Sequence, residues 1–86
     1  MNEYEIIIVG AVRRQLKRIN REDKKRILDK IQSLAANPRP HGFIELKGCE
    51  NLFRVRIGDY RIVYEIQDEI LLITVLKVGN RREIYR

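Results

Sequence analysis

The chain has 86 residues, and 18 Lys and Arg against 12 Asp and Glu give it a net charge of +6. Hydrophobic residues make up 44% and charged residues 35%, which excludes a disordered chain and indicates a single domain over 1–86. The acidic N-terminus is unlike a signal peptide, and no apolar run approaches the roughly 20 residues that span a membrane. We therefore expect a cytoplasmic domain that does not contact membranes, with a basic charge that suits a polyanionic partner.

The residue types that hold metals or act as nucleophiles are scarce. The chain has one Cys, Cys49, and one His, His41, which argues against an internal disulfide, a conventional zinc site and a Ser-His-Asp triad. A single Cys fits a reducing cytosol, and Gly-rich nucleotide-binding motifs are absent. We therefore expect no metal and no cofactor.

The first half of the chain predicts a strand followed by a helical hairpin. Residues 4–9 are rich in β-branched side chains and too few for a helix, which favours a strand that ends at Gly10. Apolar residues then recur at helical spacing, at Val12, Leu16 and Ile19. Asn20 is a suitable N-cap for a second helix, which we expect to end at Asn37 because Pro38 disfavours helical geometry in the preceding residue.

After a loop at 38–42, the second half predicts a small antiparallel sheet. We expect a short strand at 45–47, a hairpin of 52–57 and 60–66 turning at Gly58-Asp59, and a central strand over 70–78. The predicted fold is α+β: an N-terminal strand, a helical hairpin and an antiparallel sheet of three to four further strands, with both helices on one face.

The predicted hairpin places like charges opposite each other. With Gly58-Asp59 as the turn, Arg56 lies opposite Arg61 in the closer, non-hydrogen-bonded kind of pair, and Arg54 shares their face. Two cations 6 Å apart repel by about 0.7 kcal/mol in water and about 3 kcal/mol at an effective dielectric constant of 20. Two interpretations remain open: the guanidinium groups hold a phosphate, or the long side chains splay into solvent beside Glu65.

The C-terminal segment follows the central strand directly and adds further cations and a tyrosine. A site on the open sheet face could receive Arg81 and Tyr85. Cations stabilise the dianionic transition state of phosphodiester cleavage and favour the phenolate form of tyrosine. This combination would suit RNA cleavage by attack of the ribose 2′-OH without a metal. The alternative is that the terminal tyrosine packs on the sheet edge.

Four segments carry a resemblance to a known family. They are Asn37-Pro38-Arg39-Pro40, Leu46-Lys47-Gly48, the hairpin with Phe53-Arg54-Val55-Arg56 and Tyr60-Arg61-Ile62-Val63-Tyr64, and Val78-Gly79-Asn80-Arg81-Arg82-Glu83-Ile84-Tyr85. Together they resemble the RelE/ParE superfamily of bacterial type II toxin–antitoxin toxins, and most closely the RelE-type mRNA interferases. The resemblance covers nearly the whole chain. It implies a RelE-like fold and a toxin that enters the ribosomal A site and cuts mRNA by 2′-OH attack, leaving a 2′,3′-cyclic phosphate.

The resemblance also implies site residues and partners. Catalytic roles fall on Arg61, Arg81 and Tyr85. The expected RNA and phosphate contacts are Arg54, Arg56, Lys47, Lys77 and Arg82. The implied partners are the ribosome, its mRNA and a cognate antitoxin that forms a hetero-oligomer with the toxin.

The sequence departs from the family pattern in two places. A well-known member has lysines where this chain has Arg54 and Arg56, and arginine is a poor proton shuttle. Many relatives carry a histidine where this chain has Asn80, which cannot transfer a proton in its place. The alternative function is that of a ParE-type toxin, which binds DNA gyrase and has no nuclease activity.

Overall fold

The computed structural model describes residues 3–48 and 50–80, which form a five-stranded sheet covered on one face by two helices. The elements are β1 (Glu5–Ile8), α1 (Gly10–Lys17), α2 (Arg21–Leu34), β2 (Ile44–Glu45), β3 (Leu52–Ile57), β4 (Tyr60–Gln67) and β5 (Leu72–Asn80). A short 3-10 helix over Asp68–Ile70 joins β4 to β5. The predicted α+β fold is confirmed. No helix in these described ranges is long and apolar enough to cross a bilayer.

The sheet order is β1-β5-β4-β3-β2, and β1 is the one strand that pairs in parallel, with β5. Flanked by β1 and β4, β5 is an interior strand as its apolar sequence predicts. It begins at Leu72 rather than residue 70, because the 3-10 turn ends at Leu71, whose φ is +52°. Ile70 precedes the strand and is 62% exposed.

The second helix begins as predicted but ends earlier. The side chain of Asn20 accepts a hydrogen bond from the Asp23 amide at 2.9 Å and so caps α2. The helix ends at Leu34 rather than Asn37. The carbonyl of Ala35 accepts from the Tyr4 amide at 2.9 Å, so this end of α2 is committed to the chain entering β1.

The core lies between the helices and one face of the sheet. The helices contribute Val12, Leu16, Ile27, Ile31 and Leu34, and the sheet contributes Phe53, Val55, Ile62, Tyr64, Ile66, Ile73, Val75 and Val78. Fully burying one such side chain contributes roughly 1.5–3 kcal/mol. Neither of the two described helices packs on the opposite sheet face, which carries Arg54, Arg56 and Arg61.

Candidate nucleic-acid interface

The hairpin register brings four predicted cations together on the open face. Arg56 lies directly opposite Arg61, as predicted, and Arg54 lies opposite Val63, which pairs in turn with Lys77 of β5. Neighbouring strands are about 4.8 Å apart, and residues i and i+2 of one strand are about 6.7 Å apart. Arg54, Arg56, Arg61 and Lys77 therefore form a basic patch about 10 Å across.

The members of the basic patch differ in burial. Arg61 is only 6% exposed, Arg54 is half-buried, and Arg56 and Lys77 are exposed. On β5, Arg61 pairs with Gly79, which has no side chain to compete for the space beside it. Arg61 also donates from Nη1 to its neighbour's carbonyl, that of Tyr60, at 3.3 Å. The interpretation that the arginines splay into solvent therefore does not describe Arg61.

An arginine lies on each side of the turn beside the basic patch. Gly58 has a φ of +59°, which suits the first central position of a type II′ hairpin turn. Arg56 Nε donates to the Gly58 carbonyl at 3.1 Å. On the helix side, the Arg26 guanidinium lies 3.1 Å from the position that a Cβ at Gly58 would occupy. The sequence did not indicate that Arg26 reaches the hairpin, because its helix position alone is that of a surface cation paired with Asp23.

Away from the turn, the open face loses its positive character. Glu65 follows Val63 on the same face and accepts a hydrogen bond from Gln67 Nε2 at 2.8 Å. Lys47 lies in the turn after β2, not in the predicted strand, and the neighbouring Leu46 amide donates to Leu52 at the start of β3. Leu52 is two residues from Arg54, the nearest member of the basic patch, and about 7 Å from it along the strand. Lys47 therefore lies beyond the Arg54 end of the basic patch.

The last described residue, Asn80, pairs with Tyr60 at the turn end of the hairpin. Asn80 thus lies one register position from Gly79, the partner of Arg61. Arg81, Arg82 and Tyr85 lie outside the described residues, as does Cys49. Nowhere in residues 3–48 and 50–80 do three or more His, Cys, Asp or Glu side chains form a group that could hold a metal ion.

A hydrogen-bonded group of one arginine, one tyrosine and one aspartate lies at the other end of β4. Arg39 donates to both carboxylate oxygens of Asp68, at 2.9 and 3.3 Å, and Tyr4 donates to the same carboxylate at 2.6 Å. Hydrogen bonds from Arg39 and Tyr4 lower the pKa of Asp68, while the bond to Asp68 raises the pKa of Arg39 and that of Tyr4. Arg39 also lies over the ring of Phe53, 5.3 Å from its centroid. We call Tyr4, Arg39 and Asp68 the clasp.

Tyr64 is buried near the clasp and is a structural tyrosine. Its hydroxyl donates to the Pro38 carbonyl at 2.7 Å. Burial raises the pKa of Tyr64 to about 12, so it stays protonated at neutral pH. It therefore cannot supply the phenolate that the site chemistry calls for.

Comparison with known proteins places the chain among toxins. A family model for the ParE toxin of the type II toxin–antitoxin system parDE matches residues 6–85. A protein of Methanocaldococcus jannaschii, proposed to be the toxin RelE1, is 28% identical over 87 residues, covering 98% of this chain and 97% of that protein.

Solved structures share the fold. The archaeal RelE–RelB complex from Pyrococcus horikoshii OT3 matches with a TM-score of 0.83 and 28% identity, covering 92% of this chain and 96% of that chain. The isolated E. coli RelE toxin matches with a TM-score of 0.78 and 21% identity, covering 95% of this chain and 90% of that chain. Because the family model spans nearly the whole sequence, the chain belongs to the ParE toxin family of the RelE/ParE superfamily and is a RelE-like toxin of a type II toxin–antitoxin system.

Proposed function

We propose that this toxin is a ribosome-dependent mRNA endoribonuclease that acts in the cytoplasm. The observation that carries the proposal is the basic patch, in which the buried Arg61 lies in register opposite Arg56 on the sheet face that the two helices do not cover. Like charges placed opposite each other destabilise a sheet, whereas a bound phosphate turns the same arrangement into a favourable one. Guanidinium groups match the oxygens of a phosphate and stay charged.

In the proposed reaction, the ribose 2′-oxygen attacks the adjacent phosphorus and the bond from phosphorus to the 5′-oxygen breaks. A base takes the 2′-OH proton, the 5′-oxygen gains a proton, and the product is a 2′,3′-cyclic phosphate. Arg61 and Arg81 stabilise the dianionic transition state, while Tyr85 takes the proton or stacks on a base. No step requires a metal or a cofactor.

The remaining cations hold the RNA strand. Arg54, Arg56, Lys77 and Arg82 are proposed to contact the phosphates that flank the scissile bond, and Lys47 a phosphate farther along. Contacts of this kind fix the register of a nucleic acid without reading its sequence. The chain offers little surface to orient a strand in line for attack, and such positioning is worth roughly 7–11 kcal/mol. We therefore propose that the ribosome supplies it.

We also propose that the toxin binds a cognate antitoxin encoded nearby. The Pyrococcus horikoshii relative was solved as a complex of RelE with RelB, and the basic patch suits an acidic partner segment that folds on binding. Low-level expression of the toxin alone should arrest growth, and coexpression of the neighbouring reading frame should restore it. Normal growth with soluble toxin present would contradict a toxic activity.

A gyrase-binding function is the second candidate, favoured by the match to the ParE toxin model. The two candidates predict different damage. A ribosome-dependent nuclease produces new mRNA 5′ ends in phase with codons, whereas a gyrase poison leaves mRNA intact and stops replication. Sequencing of mRNA ends after induced expression, with a supercoiling assay of DNA gyrase in parallel, separates them.

A reconstituted assay tests the nuclease directly. Purified toxin should cut mRNA on programmed ribosomes and leave the same naked transcript nearly uncut. Arg21→Ala, which removes an exposed cation from α2, is the matched control for nonspecific loss of charge. Equal cleavage of naked and ribosome-bound RNA would remove the ribosome from the mechanism.

A further inference from the structure

The second half of β5 is supported differently from the first half. On the side away from β4, strand β1 pairs with β5 only from Leu72 to Val75. The register between β4 and β5 shifts after Val75, where Leu76 is the extra residue. Such a bulge bends a strand and interrupts its ladder. From Leu76 to Asn80, one edge of β5 therefore has no strand beside it within the described sheet.

A polar side chain from α1 reaches this edge. Gln15 Oε1 accepts a hydrogen bond from the Val78 backbone amide at 3.0 Å, across 63 residues of sequence. Gln15 is half-buried, and its helix is anchored by Val12 and Leu16, which are 0% and 7% exposed. The bond therefore joins a fixed helix to the strand beyond its bulge.

The space next to this bond is open. A cleft of about 330 Å³ lies beside it, lined by Gln15, Arg18, Ile19, Tyr60, Val78, Gly79 and Asn80. Val78 itself is 1% exposed and belongs to the core, so packing and the directional bond to Gln15 together hold this part of β5 on its α1 side.

We propose that Gln15 is a positioning residue for Arg61 of the basic patch. Gly79 follows Val78 and pairs with Arg61. By fixing Val78, Gln15 holds the Gly79 backbone beside Arg61. This inference rests on the proposed nuclease function, and Gln15 itself touches no reacting atom.

Two substitutions separate the acceptor from the bulk of the side chain. Gln15→Met keeps the length and removes the oxygen acceptor, whereas Gln15→Glu keeps an acceptor for the Val78 amide. On programmed ribosomes with toxin in excess, Gln15→Met should lower the maximal single-turnover rate by about 10- to 100-fold, the range for a misplacement of about 1 Å. The toxin concentration that gives half the maximal rate should change by less than about threefold. Gln15→Glu should restore most of the rate.

Hydrogen exchange provides a readout that does not depend on activity. The Val78 amide should lose protection in Gln15→Met and keep it in Gln15→Glu, while amides shared by β3 and β4 stay protected in both. Gln32→Met, an exposed position on α2, is the control and should change neither rate nor exchange. Gln15→Ala is the second variant if the Met side chain disturbs folding.

The outcomes distinguish the two proposals. A wild-type toxin that fails to cut ribosome-bound mRNA overturns the proposed function, whatever the exchange data show. An active wild type whose Gln15→Met and Gln15→Ala variants keep their rate overturns the positioning role. Unchanged protection of Val78 in those variants overturns the bond as the support of β5.

Discussion

The two ends of β4 carry arginines in opposite electrostatic settings. At the Gln67 end, Arg39 of the clasp donates twice to Asp68 and lies over the Phe53 ring. At the Tyr60 end, Arg61 of the basic patch is buried directly opposite Arg56. An arginine matched to a carboxylate from its own chain serves the fold. Under the proposed function, the like-charge pairing of Arg61 with Arg56 serves to bind a phosphate.

The same contrast separates two tyrosines. Tyr64 is buried and donates to a backbone carbonyl, and its pKa is raised to about 12. Tyr85 follows Arg81 and Arg82 in the sequence and is the candidate for proton transfer. Residue type alone therefore does not indicate the role of a tyrosine in this chain, because burial is what keeps Tyr64 protonated.

The largest expected effect separates the two arginine settings by activity. Arg61→Ala and Arg81→Ala should each lower single-turnover cleavage on programmed ribosomes by on the order of 10²–10³, the range for removing one group that stabilises transition-state charge. Arg39→Ala should leave the rate within about threefold, because its charge is matched within the clasp. Thermal melting of each variant verifies that it is folded. A rate loss in Arg39→Ala as large as that in Arg61→Ala would abolish the distinction.

Tyr85 offers the next test. Tyr85→Phe keeps the ring and removes the hydroxyl, whereas Tyr85→Ala removes both. If the phenol is the base, both variants should lose about 10² in single-turnover rate, the low end for general base catalysis. If the ring only stacks on a base, the Phe variant should keep most of the activity. Full activity in the Ala variant would remove Tyr85 from the site.

Tyr64 should control stability at alkaline pH. The folded-state pKa of Tyr64 is about 12, above the ordinary value of 10.0. The stabilisation of the fold by the protonated hydroxyl is therefore fully present below pH 10 and is lost as the pH rises towards 12. The free energy of unfolding should fall by about 1.4 kcal/mol per pH unit in this window from this group. Tyr64→Phe should be less stable at pH 7 by about 1 kcal/mol, since the Pro38 carbonyl loses its donor, and its alkaline slope should be shallower. Denaturant unfolding from pH 7 to 12 measures both, and an unchanged slope would contradict this role.

The clasp should act at the acid end of the pH range. The folded-state pKa of Asp68 lies below its ordinary value of 3.8, so its stabilising effect is present above that value and is lost as the pH falls towards the folded-state pKa. Melting temperatures of wild type and Asp68→Asn should therefore differ at pH 7 and converge below pH 4. We expect a small difference, because the clasp is solvent-exposed. A difference in melting temperature that grows as the pH falls would contradict this expected pH dependence.

The smallest expected effect is on the stability of the basic patch. Arg56→Ala should be as stable as wild type or more stable by up to about 0.5 kcal/mol at low salt, because relief of the like-charge pair with Arg61 outweighs the loss of the exposed hydrogen bond from Arg56 Nε to the Gly58 carbonyl. Added salt should reduce the gain. Arg54→Ala is the matched control, since the cross-strand partner of Arg54 is the uncharged Val63. A marked loss of stability in Arg56→Ala would identify Arg56 as a structural arginine.

Local patterns predicted much of the fold. Alternation in 52–57 and 60–66, with a Gly-Asp turn between them, predicted the hairpin register and the opposition of Arg56 and Arg61, and both are confirmed. The cap at Asn20 is confirmed for the same reason: a side chain two or three residues from its partner needs no distant contact. The predicted end of α2 at Asn37 lies beyond the observed end at Leu34. The predicted strand at 45–47 extends past the observed end of β2 at Glu45, and the predicted start of β5 at residue 70 precedes the observed Leu72. All three are decided by partners far away in sequence or by a turn with a left-handed residue.

By itself, the sequence determined the elements, the hairpin pairing and the identity of the cations on one face, because those depend on periodicity and turn chemistry over a few residues. Only the tertiary structure decided that β1 joins β5 in parallel, that Gly79 lies beside Arg61 and that Arg61 is buried while Arg56 is exposed. It also decided that Gln15 reaches Val78. These contacts join residues from separate elements, and no local pattern carries them, because the distance between two strands is set by how the whole sheet and its helices pack.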